Sequence, residues 1–178
     1  SGAGTIGLNV IANSSITDTS GNGNNNNGYV AAFTGQTHTV AQADLKIVDA
    51  GTNGIWDMND PERVSGAAAY DFGNQAQGVR SDRHYFAYRN VVTNTVLTFQ
   101  SFAISGAHAS DFVLDPNPAQ NGSFNHHGGG GSSVAVRFTP SGLGVRTAVL
   151  TIRTTDPDED PFTINLTGTG VAGAAANL

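Results

Sequence analysis

The sequence predicts an all-β chain: an antiparallel β-sandwich preceded by an N-terminal β extension. Three observations carry this. Glycine is abundant at 23 residues and charged residues are scarce at 12%, so the helix formers Glu and Lys are few, and Thr, Val, Phe and Ile favour strands instead. Apolar and polar residues alternate in short runs, the period of two that marks a half-buried strand. Gly and Asn cluster between the runs, where they supply the backbone conformations that turns need. A chain of 178 residues is long enough to bury a core without covalent staples.

Taken in order, Ile6, Leu8 and Val10 alternate with Gly7 and Asn9 and predict a first strand. Residues 20–28 contain only Ser, Gly and Asn; such a stretch cannot pack a core and reads as surface loop. A second strand is predicted over 40–48, with Leu45 and Ile47 on one side. Residues 49–62 read as a polar, acidic loop interrupted by Ile55 and Trp56. From residue 70 short strands recur, over 83–92, 96–104, 112–114, 133–138, 146–154 and 162–167. Val134, Val136 and Phe138 alternate cleanly, as do Ala148, Leu150 and Ile152, then Phe162, Ile164 and Leu166. Asn121-Gly122, residues 128–131 and Ser141-Gly142 mark turns. Strands of this length at this spacing are those of an immunoglobulin-like sandwich. Leu97 and Phe99 stand in one phase and Phe102 and Ile104 in the other, which predicts a β-bulge or a strand that changes sheets. The boundaries read as an extension over 1–66, a sandwich over 67–170 and a small-residue tail over 171–178.

Composition narrows the function. There are no cysteines, so disulfides, thiolate metal sites and thiol catalysis are excluded. The net charge is -6 and Lys46 is the one lysine. No basic face is available for nucleic acid or for an anionic membrane surface. No apolar run reaches the length of a membrane span. The composition reads as that of a secreted or cell-surface β-protein of bacterial or archaeal type. The opening Ser1-Gly2-Ala3-Gly4 suits a mature start after export or the start of an expressed piece.

Several motifs then occur in a telling order. They are Asp71-Phe72-Gly73-Asn74 with Gly78, Ile104-Ser105-Gly106-Ala107 with Asp111-Phe112, and Arg137-Phe138-Thr139-Pro140 with Gly144. Asp156-Pro157-Asp158-Glu159 follows, and Phe162 leads into the ending Leu166-Thr167-Gly168-Thr169-Gly170. Together they resemble the bacterial choice-of-anchor D repeat of the hydin-type immunoglobulin-like group, over residues 70–170. The resemblance implies a tandem or terminal module of exported, surface or axonemal structures, with no catalytic residues to carry over. The sequence departs from the family after Asn90, where Val91-Val92-Thr93-Asn94 replaces an Asn-Thr-Gly turn. Asn94 is then the residue able to take the left-handed conformation.

One loop carries a candidate metal set. Counted as an EF-hand-like loop, Asp49 is position one, Asn53 five, Gly54 six, Ile55 seven through its carbonyl, Asp57 nine and Asp60 twelve. Calcium needs six to eight hard oxygens around a sharp turn, and this spacing supplies them. Position three is Gly51 and position twelve lacks the usual Glu, which Glu62 could replace. A polar surface loop with Trp56 tucked into the core is the competing reading. Bound calcium at about 100 times its dissociation constant would add about 2.7 kcal/mol of stability. Residues 18–26 offer a poorer oxygen set, mostly neutral Asn. Asp156, Asp158, Glu159 and Asp160 could form a glycosidase pair, but a solvated hairpin is the simpler account. His126 and His127 precede a glycine run and read as a mobile loop. His38, His84 and His108 stand apart, and no nucleophile elbow is present.

These features favour a non-catalytic structural protein of an extracellular or cell-surface assembly. Ile6, Leu8 and Val10 are candidates for a strand donated to a neighbouring subunit, their side chains filling a groove while the backbone adds to a sheet edge. The expected partners are copies of the chain or neighbouring surface proteins. The alternative is an adhesive or carbohydrate-binding module with Trp56, Tyr85 or Tyr88 as a stacking platform for glycans.

Overall fold

A computed structural model describes residues 4–6, 9–10, 33–34, 38–116, 118 and 123–173, those before 41 by their backbone alone. The chain divides into two compact units, one over residues 3–41 and one holding the rest.

In the smaller unit, β1 (Gly4–Ile6) pairs antiparallel with β4 (His38–Val40), and β2 (Asn9–Val10) with β3 (Phe33–Thr34). Residues 4–6 and 9–10 are thus paired within their own chain, to 38–40 and 33–34.

The larger unit is a sandwich of two sheets. Its strands are β5 (Leu45–Asp49), β6 (Tyr70–Ala76), β7 (His84–Asn90), β8 (Val96–Ser105), β9 (Phe112–Leu114), β10 (Phe124–His127), β11 (Gly131–Phe138), β12 (Gly144–Thr154) and β13 (Phe162–Val171). One sheet has the order β10-β8-β12-β13-β6 and the other β5-β7-β11-β9. Every pairing is antiparallel except β13 with β6, which is parallel. A single turn of 3-10 helix, Ala109–Asp111, leads into β9.

Alternation explains the core. Phe86 and Tyr88 point inward from β7, and Val134, Val136 and Phe138 from β11. Leu97, Phe99, Leu150, Ile152, Ile164 and Leu166 meet them from the facing sheet. Each such side chain contributes roughly 1.5–3 kcal/mol by leaving water. The phase change in β8 is a bulge: Phe99 lies opposite Thr154 and Ser101 opposite Arg153, with Gln100 extra. Gln100 and Ser101 both face solvent, and Leu97, Phe99 and Phe102 all stay inside.

Three sequence readings need correction. The strand at 45–49 belongs to the sandwich and not to the extension drawn to residue 66. It pairs with β7 along its whole length, because Leu45 and Ile47 fill the core at 3% and 0% exposure. The histidine loop is a strand, β10, paired with β8. Phe124 secures it by stacking on Phe99 at 5.2 Å between centroids. The Asp156 turn is not simply solvated, since Asp156 is buried. Asn94 does adopt the left-handed conformation, with φ 60°.

Two of the four outer strands of the sandwich, β5 and β6, have protected edges. The outer edge of β5 is covered by residues 61–63, through Asp49 N–H to Pro61 O (2.9 Å) and Arg63 N–H to Ile47 O (2.8 Å). The β6 edge carries a bulge at Gly73, whose φ is 69° and whose N–H is held by Asp71 Oδ1 at 2.8 Å. A bulge of this kind discourages a foreign strand from pairing there.

Candidate functional site

The loop from Asp49 to Glu62 folds over the outer face of the four-stranded sheet. Trp56 and Tyr85 pack there on Val48, Ala50 and Ala87. Trp56 is therefore half-buried, and the tucked reading describes it better than a free platform. Tyr88 is 1% exposed and offers no platform either. Gly54 has to be glycine, because its φ is +68° and a Cβ would sit 2.8 Å from the Tyr85 ring.

The candidate metal ligands make contacts within the protein. Asp49 Oδ1 lies 2.6 Å from His84 Nε2, off the line of a straight hydrogen bond, and Oδ2 lies 3.9 Å from Arg63. Asn53 Oδ1 accepts from Ile55 N–H at 2.9 Å. Asp57 Oδ1 accepts from the Asn59 backbone and side chain, both at 2.8 Å. Asp60 Oδ2 accepts from Asp57 N–H at 3.2 Å. Glu62 pairs with Lys46 at 3.0 Å. A calcium ion held by Asp49, Asp57, Asp60 and Glu62 would share their oxygens with these contacts or compete with them. Ile55 stays 68% exposed.

Among the described residues the acids that do converge are Asp44, Asp156 and Glu159. Asp156 Oδ2 accepts from Leu45 N–H at 2.6 Å and so ties the start of β5 to the β12–β13 turn. Burial, with Asp156, Asp158 and Asp44 alongside, pushes the Glu159 carboxyl up to about 7. Burial also lowers His84, partly offset by Asp49.

The two groups act on stability with opposite signs. Glu159 binds its proton more tightly folded than unfolded, so its contribution is full at acid pH and is lost as pH rises from about 4.5 through about 7. His84 holds its proton less tightly folded, so its contribution is present above about 6.5 and lost as pH falls. Single variants separate them. Glu159→Gln should melt increasingly above the parent protein as pH rises from 5 to 8. A constant difference across that range would show that Glu159 titrates normally.

His84 and Asp49 pair like two members of a triad, but the next ring against His84 is Tyr70, stacked at 3.6 Å. Among the described residues no hydroxyl is bonded to His84. His108 Nδ1 accepts from Thr147 N–H, and His126 packs edge-on to Tyr88 and Phe99. Of the candidate donated strand, Ile6 and Val10 are ladder-paired by their backbones, and Leu8 lies outside the described residues.

Sequence reasoning missed two groups. Asn90, fully buried, bonds the turn after β7, β10 and residue 44. Thr52, Asp82, Arg83, Tyr85 and Arg137 line a depression of about 410 Å³. Asp115 accepts from Arg137 Nε at 2.6 Å and pairs with Arg83 at 3.3 Å. Arg137 and Arg83 hold its carboxyl below the usual range.

No protein-family model matches the chain, and no curated protein matches it. Solved structures do. The ASH / PapD-like domain of human CEP192 (PapD-like domain 7) is 15% identical over 60% of this chain and 84% of its own, with a TM-score of 0.42. A Porphyromonas gingivalis protein is 12% identical over 94% of this chain and 66% of its own, at 0.49. A family 123 glycoside hydrolase from Clostridium perfringens is 9% identical at 0.51, and the match takes in 72% of this chain and 27% of the hydrolase. At such identity the likeness is one of fold, an immunoglobulin-like β-sandwich, and does not carry the hydrolase's chemistry across. No described helix is long and apolar enough to cross a membrane.

Proposed function

We propose that the chain is a non-catalytic structural module of an extracellular or cell-surface assembly, of the choice-of-anchor D and hydin-type kind. It joins copies of itself or neighbouring surface proteins through its N-terminal β unit. The observation that carries this is the separate unit over residues 3–41, built on ladders of two and three residues. Such short two-stranded ribbons are marginal alone in water and gain from a further strand. A neighbour's sheet edge supplies one by strand addition. Because residues 4–6 are already paired with 38–40 and 9–10 with 33–34, the ribbon would add as a unit. Donation of a lone strand would first have to break those ladders. The sandwich's ion pairs, such as Arg146 with buried Asp111 at 2.6 Å, tie loops to strands and suit a load-bearing part.

Deleting residues 1–13 removes one strand of each ladder. Sedimentation and electron microscopy should then show a folded monomer where the full chain assembles. Assemblies that persist after the deletion would refute the role of this unit. A carbohydrate-binding reading, with Trp56 half-buried, rests on Tyr85 instead.

A further inference from the structure

A shallow, open depression on the outer face of the four-stranded sheet gathers polar groups and one aromatic ring. It is wide open to solvent and holds about 410 Å³, room for one small polar ligand lying against its wall. Its parts are rigid. The Tyr85 backbone is fixed on both sides, N–H to Gly51 O at 2.8 Å and O from Ala50 N–H at 3.0 Å. Arg137 is locked by Asp115 and by Ser81 O at 2.7 Å. Rigid parts lose little freedom when a ligand arrives.

Its polar groups are not all used. Among the described residues the Asp82 carboxylate and the Thr52 hydroxyl have no partner. Arg83 is 41% exposed along its side chain, and its one carboxylate contact is the longer of the two on Asp115. Arg83 Nε donates to Asp115 O at 3.1 Å, and the Tyr85 ring lines the depression beside it. The lining thus offers guanidinium donors, a carboxylate acceptor, hydroxyls of both kinds and an aromatic ring.

Charge selects the ligand class. Arg83 and Arg137 are balanced by Asp115 and Asp82, so the site as a whole is neutral. An anion gains nothing net from it and meets an unpaired carboxylate. A neutral molecule bearing many hydroxyls donates to Asp82, accepts from Arg83 and Thr52, and lays its C–H face on Tyr85. We infer that the depression formed by Thr52, Asp82, Arg83, Tyr85 and Arg137 binds a neutral sugar unit of a glycan. The site stands independently of the self-association reading, since it uses no residue of the N-terminal unit.

The test is saturation-transfer NMR of the full chain with glucose, galactose, mannose, N-acetylglucosamine and lactose, and with sialic acid as the anionic control. Neutral sugars should bind at millimolar strength. Asp82→Ala and Thr52→Ala remove exposed side chains that hold nothing else in place, and Asp82→Ala should weaken binding about tenfold or more, a loss of about 1.4 kcal/mol. No transfer to any neutral sugar at about 10 mM would overturn the inference. So would binding of sialic acid alone, or sugar binding that both variants leave unchanged. Sugar binding lost while self-association persists separates this site from the N-terminal one.

Discussion

Replacing Gly170 with alanine should destabilise the sandwich by about 3 kcal/mol or more, at the upper end for overpacking. A Cβ there would stand 2.0 Å from the Gly142 carbonyl oxygen and 2.9 Å from Pro140 Cβ. Backbone is in the way, and it has little freedom to retreat. Pro140 O is bonded to Gly78 N–H at 2.9 Å, and Ser141 O to the Gln77 side chain at 3.0 Å. The stabilisation that alanine brings by restricting the unfolded chain is about 0.4–1 kcal/mol, too small to offset this. Gly168→Ala is the graded comparison. Its Cβ would meet the Phe138 ring at 2.6 Å, and Phe138 is fully buried, but a ring can tilt where a tethered carbonyl cannot. That variant should lose about 1–3 kcal/mol. Urea unfolding reads both, as a fall in midpoint at unchanged slope. A Gly170→Ala midpoint close to the parent's would mean that the loop yields freely.

These clashes give the Gly168-Thr169-Gly170 ending a physical meaning, and they show what a sequence does and does not reveal. The strands with clean alternation, such as Val134 to Phe138 and Phe162 to Leu166, were legible because one face is buried and one is wet. Even the β8 bulge was legible, as a break in phase between Phe99 and Phe102. β10 was not, because Phe124 is the one apolar residue in its four and its reason for pairing lies in Phe99 and Phe102 across the sheet. The loop beginning at Asp49 shows the same limit. Its spacing is that of a metal loop, and in the fold two of its acids also meet partners outside the loop: Asp49 lies against His84, and Glu62 pairs with Lys46. Spacing reports which oxygens are near in sequence, and folding decides where each is used. The sugar-site residues come from the loop after β5, the segment entering β7, and β11, so no local motif announces them.

Asn90 is the other position where a single change should be severe. It is 0% exposed and makes bonds through both ends of its amide. Nδ2 donates to Thr95 O, Thr95 Oγ1 and His126 O at 3.3, 3.1 and 3.2 Å. Oδ1 accepts from Val92 N–H at 3.3 Å and Asp44 N–H at 3.4 Å. One side chain thus joins the left-handed Asn94 turn, β10 and the start of β5. Asn90→Ala leaves a cavity and several buried polar groups unpaired, and each such group costs about 1–3 kcal/mol. Not all are fully orphaned, since Thr95 Oγ1 keeps its bond to Val92 O at 2.7 Å. The expected total is about 3–5 kcal/mol. Asn90→Asp is the sharper test. It preserves size and the Oδ1 bonds but turns the donor end into an anion facing the carbonyls of Thr95 and His126. A buried, unpaired charge is costly, so at neutral pH this variant should be no more stable than the alanine one. Protonation restores a donor. The folded state therefore raises the new carboxyl's pKa, and its stability is recovered as pH falls and lost again as pH rises through that value. Thermal melts of both variants from pH 4 to 8 decide the matter. If Asn90→Asp follows Asn90→Ala in parallel across the range, the amide's donor end is not buried against those carbonyls and Asn90 is not the joint that its geometry describes.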